Sequence, residues 1–405
     1  MSRARYRSAV LASSLLWTTS PCQAGDQDAP ITAIDSASTA PAADTEEASE
    51  SAEPTAGELS TFPVATRPTV FPDAPRARTL KAVVVTAQKR EENLQEVPIS
   101  IQAFSGEELG ARGIETTQQL GLVVPSLQFT SVAGFPIVFI RGIGTDNFVA
   151  SADPSIATYI DGIYTPNGES AFNSLVNVKS VEVLKGPQGT LFGRNAAGGA
   201  ISVTTEEPGR TFKASFAGTL GNFDSRAANL SASGPITDWL SVGVSGETSR
   251  KDAFYSDLFY DTQPDRLEAA RFKVNFHPTN KLSLSLTHYL SSQQGLRLNL
   301  FKNLDPSPLG ALLGIRAQAD DYVGESDYPA STKARQRLSY GTLSWKLSQV
   351  NLKLLASDQH MVSPQSSTDF DASRQPLAAL STTNTFIDLQ TGELQVLSTP
   401  NTWGA

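Results

Sequence analysis

The residues of this chain best suited to chemistry are few and scattered. Histidine occurs three times, at His277, His288 and His360, each within or at the end of a run that reads as a strand. Only His360 has a carboxylate close in sequence, Asp358, which is too little to define a site. Acidic side chains gather at Asp320-Asp321-Tyr322 and Glu325-Ser326-Asp327. Oxygen donors of that kind suit calcium, and they equally suit a solvated loop. Gly193 and Gly198 have the glycine spacing of a phosphate loop, but Gly199 and Ala200 follow where that motif requires Lys and then Ser or Thr. No H-E-x-x-H, G-x-S-x-G or paired C-x-x-C occurs. The single cysteine, Cys22, leaves no disulfide framework. The expectation is a protein that is not an enzyme and needs no cofactor or metal. A net charge of −9 implies no general affinity for nucleic acid.

What the sequence does specify is how side chains are held. The run Val181 to Thr205 sets two β-forming stretches, Val181-Glu182-Val183-Leu184 and Ala200-Ile201-Ser202-Val203-Thr204, around Gly186, Gly189, Gly193, Gly198 and Gly199. Glycine at that density permits positive φ and close backbone approach. Leu191, Phe192 and Arg194 in its middle argue for an ordered connection rather than a flexible linker. Upstream, Ser105 and Glu108 form a capping-box pattern that opens a helix over 107–111, and a second short helix is expected over 116–122. Pro136 to Arg141 reads as a strand ended by Gly142 and Gly144, and Ala157 to Tyr164 reads as a strand with an Asp161-Gly162 turn. Together these make a small α+β unit over about 89–208.

The N-terminal region has a different character. Arg3, Arg5 and Arg7 precede a short apolar core and Cys22-Gln23-Ala24, so residues 1–24 read as a signal peptide. Residues 25–79 are rich in Ala, Ser, Thr, Pro, Asp and Glu, too polar to offset chain entropy, and are expected to be a disordered acidic linker. Leu80 to Ala87 is then a β-forming run at the end of a tail, suited to adding itself to a partner's sheet edge or to serving as a first strand.

After Pro208 the period becomes two. Phe272, Val274 and Phe276 alternate with Arg271, Lys273 and Asn275; Leu282, Leu284 and Leu286 alternate with Ser283, Ser285 and Thr287. Similar alternation begins at Phe212, Leu240 and Val350. No run of 18 apolar residues occurs, so a membrane would be crossed by strands or not at all. Turns are short at 221–224, 234–238 and 277–281, and connections are long at 250–267 and 294–335. Short turns on one side and long loops on the other would suit an outer-membrane barrel; a soluble β-sandwich with one wet face is the alternative.

The run VEVLKGPQGTLFGRNAAGGAI, with Ile140-Arg141-Gly142-Ile143-Gly144 and the strand at 157–164, resembles the plug domain of TonB-dependent outer-membrane receptors. The resemblance implies an α+β plug followed by antiparallel transmembrane strands of a β-barrel in the outer membrane of a Gram-negative bacterium. It implies uptake of a scarce nutrient, with a ferric siderophore first by family prevalence, and TonB and outer-membrane lipid as partners. The region 80–88 resembles the TonB box, in which Val83, Val84, Val85, Thr86 and Ala87 would pair with TonB in the periplasm. Arg141 and Arg194, fixed beside glycines, would latch the plug to carboxylates on the barrel wall, or else face a wet lumen. Outward plug apices would contact ligand, with Phe135, Asp146, Asn147 and Asn167 as candidates.

One departure qualifies this. Family barrels have 22 strands, whereas residues 209–405 hold about eight, too few to enclose a plug. The expectation is therefore an incomplete barrel, from a truncated, split or partial reading frame. The alternative is a periplasmic TonB- or ligand-binding plug module that never inserts.

Overall fold

The structure is a computed structural model that describes residues 3–9, 84–85, 89, 92–93, 97, 99–132, 135–145, 153–166, 174–295, 308–312, 314–316, 320, 322–329, 331–369, 373–376 and 379–398. Strand β1 (Arg3–Ala9) lies within the segment read as a signal peptide. The linker read over 25–79 lies outside the described residues.

The plug begins with β2 (Ile101–Ser105), which runs directly into helix α1 (Gly106–Ala111). Ser105 caps that helix as its spacing predicts, its Oγ accepting the Glu108 N–H at 3.1 Å. The Glu108 carboxylate does not complete the box; it accepts from Arg112 one turn on, at 2.6 Å. The second helix is a tighter 3-10 turn over Gln118–Leu122. Its start is held by Gln119, whose Oε1 accepts from the backbone of Glu115 and Thr116.

Next come the hairpin of β3 (Leu127–Val132) and β4 (Phe135–Ile140), then β5 (Ile156–Ile160) and β6 (Ile163–Thr165). Asp161 and Gly162 join the last two with φ of 50° and 83°, the left-handed pair a two-residue hairpin requires. The glycine-rich stretch connects β7 (Val178–Lys185) to β8 (Gly199–Thr205) and contains a single helical turn, α2 (Gly189–Phe192). The plug sheet has the order β2-β7-β8-β5-β6, parallel only between β8 and β5. Gly199 must be glycine: its φ is 153° and a Cβ would stand 2.4 Å from the Leu184 carbonyl oxygen. Apolar side chains cover both faces. Val181, Val183, Ile201 and Val203 pack with Leu109, Leu120 and Ile140, while Leu184, Ala157 and Ala200 pack with Tyr159 and Phe192.

The alternating region forms eight further strands: β9 (Lys213–Gly221), β10 (Ser225–Thr237), β11 (Leu240–Lys251), β12 (Asp265–Thr279), β13 (Leu282–Gly295), β14 (Ser331–Lys346), β15 (Val350–Asp369) and β16 (Ala379–Ser398). Each pairs antiparallel with the next, and β1 adds to the outer edge of β16. This sheet does not close on itself. Strands β9 to β16 run from 9 to 20 residues, and all but β9 exceed the 9–11 that a bilayer crossing needs.

Which face is which decides the environment. Phe272 is 50 % exposed and Val274 39 %, while Arg271, Lys273 and Asn275 between and beside them are buried. Val244, Leu286, Leu354 and Leu394 are exposed in the same way, and Ser245, Thr287, Gln336 and Gln359 are buried. A water-soluble sandwich would bury the opposite face. The apolar face looks outward and the polar face looks onto the plug, as in a membrane barrel.

Strand direction places the turns at 238–239, 280–281 and 347–349 at one end of the wall. The strand ends that the longer connections join, Lys251 and Asp265, Gly295 and Ser331, and Asp369 and Ala379, lie at the other end. The turn at 222–224 also falls at the long-loop end, one strand length from where its shortness suggested. Among the described residues no helix is long and apolar enough to cross a membrane.

Candidate functional site: the plug–wall interface

The buried polar face of the wall meets the plug at the Asp161 turn. Asp161 takes its position from the left-handed turn between β5 and β6. One oxygen, Oδ1, accepts the Thr205 N–H at 2.7 Å, and the other, Oδ2, accepts the Thr205 hydroxyl at 2.6 Å. The wall supplies the rest: Lys273 Nζ stands 3.1 Å from Oδ2 and Tyr340 donates its hydroxyl at 2.5 Å. Lys273 also donates to Thr205 Oγ1 at 2.6 Å and to Glu207 Oε1 at 2.7 Å. Asn275 donates to the other oxygen of Glu207, and Ser241 to the Pro208 carbonyl at 2.9 Å.

These bonds satisfy a carboxylate and an ammonium that are both nearly removed from water. Burial pushes the Asp161 carboxyl up, but the Lys273 ammonium, the two bonds from Thr205 and the Tyr340 hydroxyl outweigh it and hold it below the usual carboxylate range.

Further contacts surround this cluster. Arg271 donates to the Val176 carbonyl at 2.8 Å, and Gln359 to the Tyr164 carbonyl at 2.6 Å. Ser174 donates to Glu247. Ile163 of the plug packs among Tyr289, Leu338, Tyr340 and Leu355 of the wall. At the short-turn end the fit is loose. There a polar chamber of about 530 Å³ opens between plug and wall, lined by Lys89, Asp161, Glu207, Asn275 and Lys353 among others. Lys89 reaches across to pair with Glu393 of β16. The chemistry on offer is that of a charge-paired dock. No group of acids, histidines or cysteines arranged to hold a metal occurs among the described residues.

The residues expected to act lie elsewhere or are only partly described. Arg141 does have a left-handed φ of 53°, but its Nη2 donates to Ser100 of the plug itself at 2.7 Å. Arg194 lies over the Tyr164 ring, also within the plug. The described ion pairs from plug to wall run through Lys273 and Lys89 instead. Val84 and Val85 pair antiparallel with Asn93 and Glu92; Val83, Thr86 and Ala87 lie outside the described residues, as do Asp146, Asn147 and Asn167. Phe135 opens β4. The dock itself is scarcely marked in the sequence. Its one sequence trace was a row of long polar residues, Arg271, Lys273 and Asn275, on the inward face of a wall strand.

An α+β domain docked by charge on the polar face of an outward-apolar sheet is the arrangement of a plugged outer-membrane barrel. The sequence pattern of the TonB-dependent Receptor Plug Domain matches residues 93–200. That segment is similar to the plug domain of those receptors, and the chain shares the plug-and-barrel fold of the solved ones. The pesticin receptor of Yersinia pestis is 32 % identical over 165 residues, covering 40 % of this chain and 24 % of that protein. The iron-regulated outer membrane virulence protein of Vibrio cholerae is 24 % identical over 217 residues, covering 51 % and 33 %. Among solved structures, the ferric yersiniabactin uptake receptor of Yersinia pestis superposes with a TM-score of 0.63 at 20 % identity, covering 75 % of this chain and 46 % of that one. The chain thus spans a quarter to a third of these curated relatives and about half of that solved receptor.

Proposed function

We propose that this chain is the plug and the first wall strands of a TonB-dependent outer-membrane receptor that takes up a scarce nutrient, a ferric siderophore in the first instance. TonB is the energising partner, recruited through 83–87, and the plug is the gate. The observation that carries the reading is the inverted sheet, apolar outside and polar inside, with the plug docked on the polar side through Asp161, Lys273 and Tyr340. The names of the relatives support iron as the cargo, since they include receptors for ferrioxamine and ferric enterobactin. In this reading the chain does no covalent chemistry. The work is mechanical, and the energy comes from TonB.

The test is uptake of radiolabelled iron, supplied as a ferric siderophore, by iron-starved cells expressing the gene with and without TonB. TonB-dependent accumulation supports the reading, and equal accumulation in both strains sinks it. The competing reading is a periplasmic plug module that never inserts. Extraction of outer membranes with urea separates the two: retention supports insertion, and release supports the soluble module.

A further inference from the structure

The inward face is crowded with charge at the short-turn end, where the plug fits loosely. Lys89 lies in sequence between the paired residues Val84–Val85 and Glu92–Asn93, and it holds a left-handed φ of 61°. Its ammonium reaches the wall and pairs with Glu393 of β16. The two side chains are 23 % and 39 % exposed, so water still screens the pair. An ion pair in that setting contributes little and opens readily. Glu393 also accepts from Gln395 Nε2 at 2.9 Å, which helps hold the carboxylate in place.

A second cation stands by. Lys353 of β15 lies opposite Gln395 in the pairing register, and so diagonal to Glu393 on the same inward face. Diagonal neighbours of that kind are about 7 Å apart, within reach of a long side chain. Lys353 and Lys89 line the same chamber, with Asp161 and Glu207. Among the described residues Lys353 forms no ion pair of its own, and Glu393 attracts it while Lys89 repels it. Asp161 and Glu207 attract it too, but Lys273 already holds both. One carboxylate therefore has two ammonium groups within reach, one on the segment that leads into the plug and one on the wall.

We propose that Lys353 competes with Lys89 for Glu393 and takes the carboxylate when Lys89 leaves, so that the segment 84–93 comes off the wall without stranding a charge. A pair broken from one side normally leaves the other ion uncompensated. A resident substitute removes most of that penalty. The exchange is regulatory, since it sets how readily the strand at 84–85 becomes available to a partner. That role rests on the proposed recruitment of TonB through 83–87; the exchange of partners itself does not, and the test keeps the two apart.

The full chain carries Cys22→Ala, with spin labels at Val85→Cys and at Val396→Cys on the exposed outward side of β16. Pulsed dipolar spectroscopy of the refolded protein gives the ratio of detached to attached segments as long and short distances. Glu393→Gln is expected to raise that ratio about threefold, the scale of a partly solvated ion pair. Lys353→Met is expected to lower it by a similar factor, because Lys89 is left without a rival, and Lys353→Arg is expected to restore it. In the Glu393→Gln background, Lys353→Met is expected to change nothing. A merely structural Lys353 would act the other way, its loss loosening the segment with or without Glu393. A raised or unchanged ratio in Lys353→Met, or an equal effect in the Glu393→Gln background, overturns the proposal. A periplasmic fragment of TonB is then added to each variant, and its binding is expected to follow the detached fraction. A fragment that binds none of them defeats the recruitment reading, while the distances decide the exchange on their own.

Discussion

Lys273 of the wall and Asp161 of the plug face each other at 3.1 Å across the interface, with side chains 4 % and 11 % exposed. Residues 112 positions apart in sequence thus form one buried charge pair. Removing one member of such a pair leaves the other charged and dry, which costs more than the pair itself contributes. Lys273→Met is therefore expected to loosen the plug by about 3–5 kcal/mol. Proteolytic protection of the plug in reconstituted protein would report the loss. Lys273→Met combined with Asp161→Asn should recover part of it, and a double variant no better than the single would refute the coupling.

The same carboxyl predicts a pH dependence. Its folded-state pKa lies below its ordinary value of 3.8. The stabilisation is thus fully present above the ordinary value and is lost as pH falls through the depressed one. Protection of the plug should fall off below about pH 4, and less steeply in Asp161→Asn. A wild-type profile flat down to pH 2 would contradict this.

Glycine substitutions should diverge sharply within the plug. Gly199→Ala drives a Cβ against the Leu184 carbonyl and fixes an unfavourable φ. A cost of about 1–3 kcal/mol or more is expected from strain of that kind. Gly110→Ala meets nothing within 4 Å in α1 and should stabilise by about 0.5–1 kcal/mol. Hydrogen exchange of the paired amides of β7 and β8 would read the first change locally; comparable exchange in the two variants would be the contrary result.

The outward face should reject charge. Phe272→Arg places a cation in the apolar band and is expected to cost about 2–4 kcal/mol on insertion, near the value for a bilayer midplane. Thr287→Ser, on the inward face one strand away, should cost far less. Refolding yield into phosphatidylcholine vesicles would rank the two, and similar yields would argue against the assignment of faces.

The architecture was legible because period-two alternation is a local signal, and Phe272, Val274 and their polar neighbours announce both faces without any partner. The plug was legible from its glycines, because Gly199 and Gly162 answer to backbone geometry fixed within a few residues. The dock was not, since a charge pair across two domains marks each segment only with ordinary polar residues, such as Lys273 among Arg271 and Asn275. Asp161 read only as a turn residue. Arg141 and Arg194 drew attention because glycines hold them, yet their described contacts are Ser100 and the Tyr164 ring. The turn at 222–224 misled for a related reason: shortness suggests a side of the membrane, but only counting strands fixes it.

The outward wall has a consequence for the life of the chain before it meets lipid. In water, Phe212, Phe216 and Leu220 are exposed together on or beside β9, which is paired on one side only. Such an edge recruits other strands indiscriminately. The plug sheet covers most of its apolar side chains, whereas the outward row of the wall, Phe272, Val274 and Leu286 among them, stays uncovered. On the proposed reading, such a wall is expected to need a factor that holds the unfolded chain until a bilayer receives it. Synthesis without one should yield aggregates seeded by the wall strands.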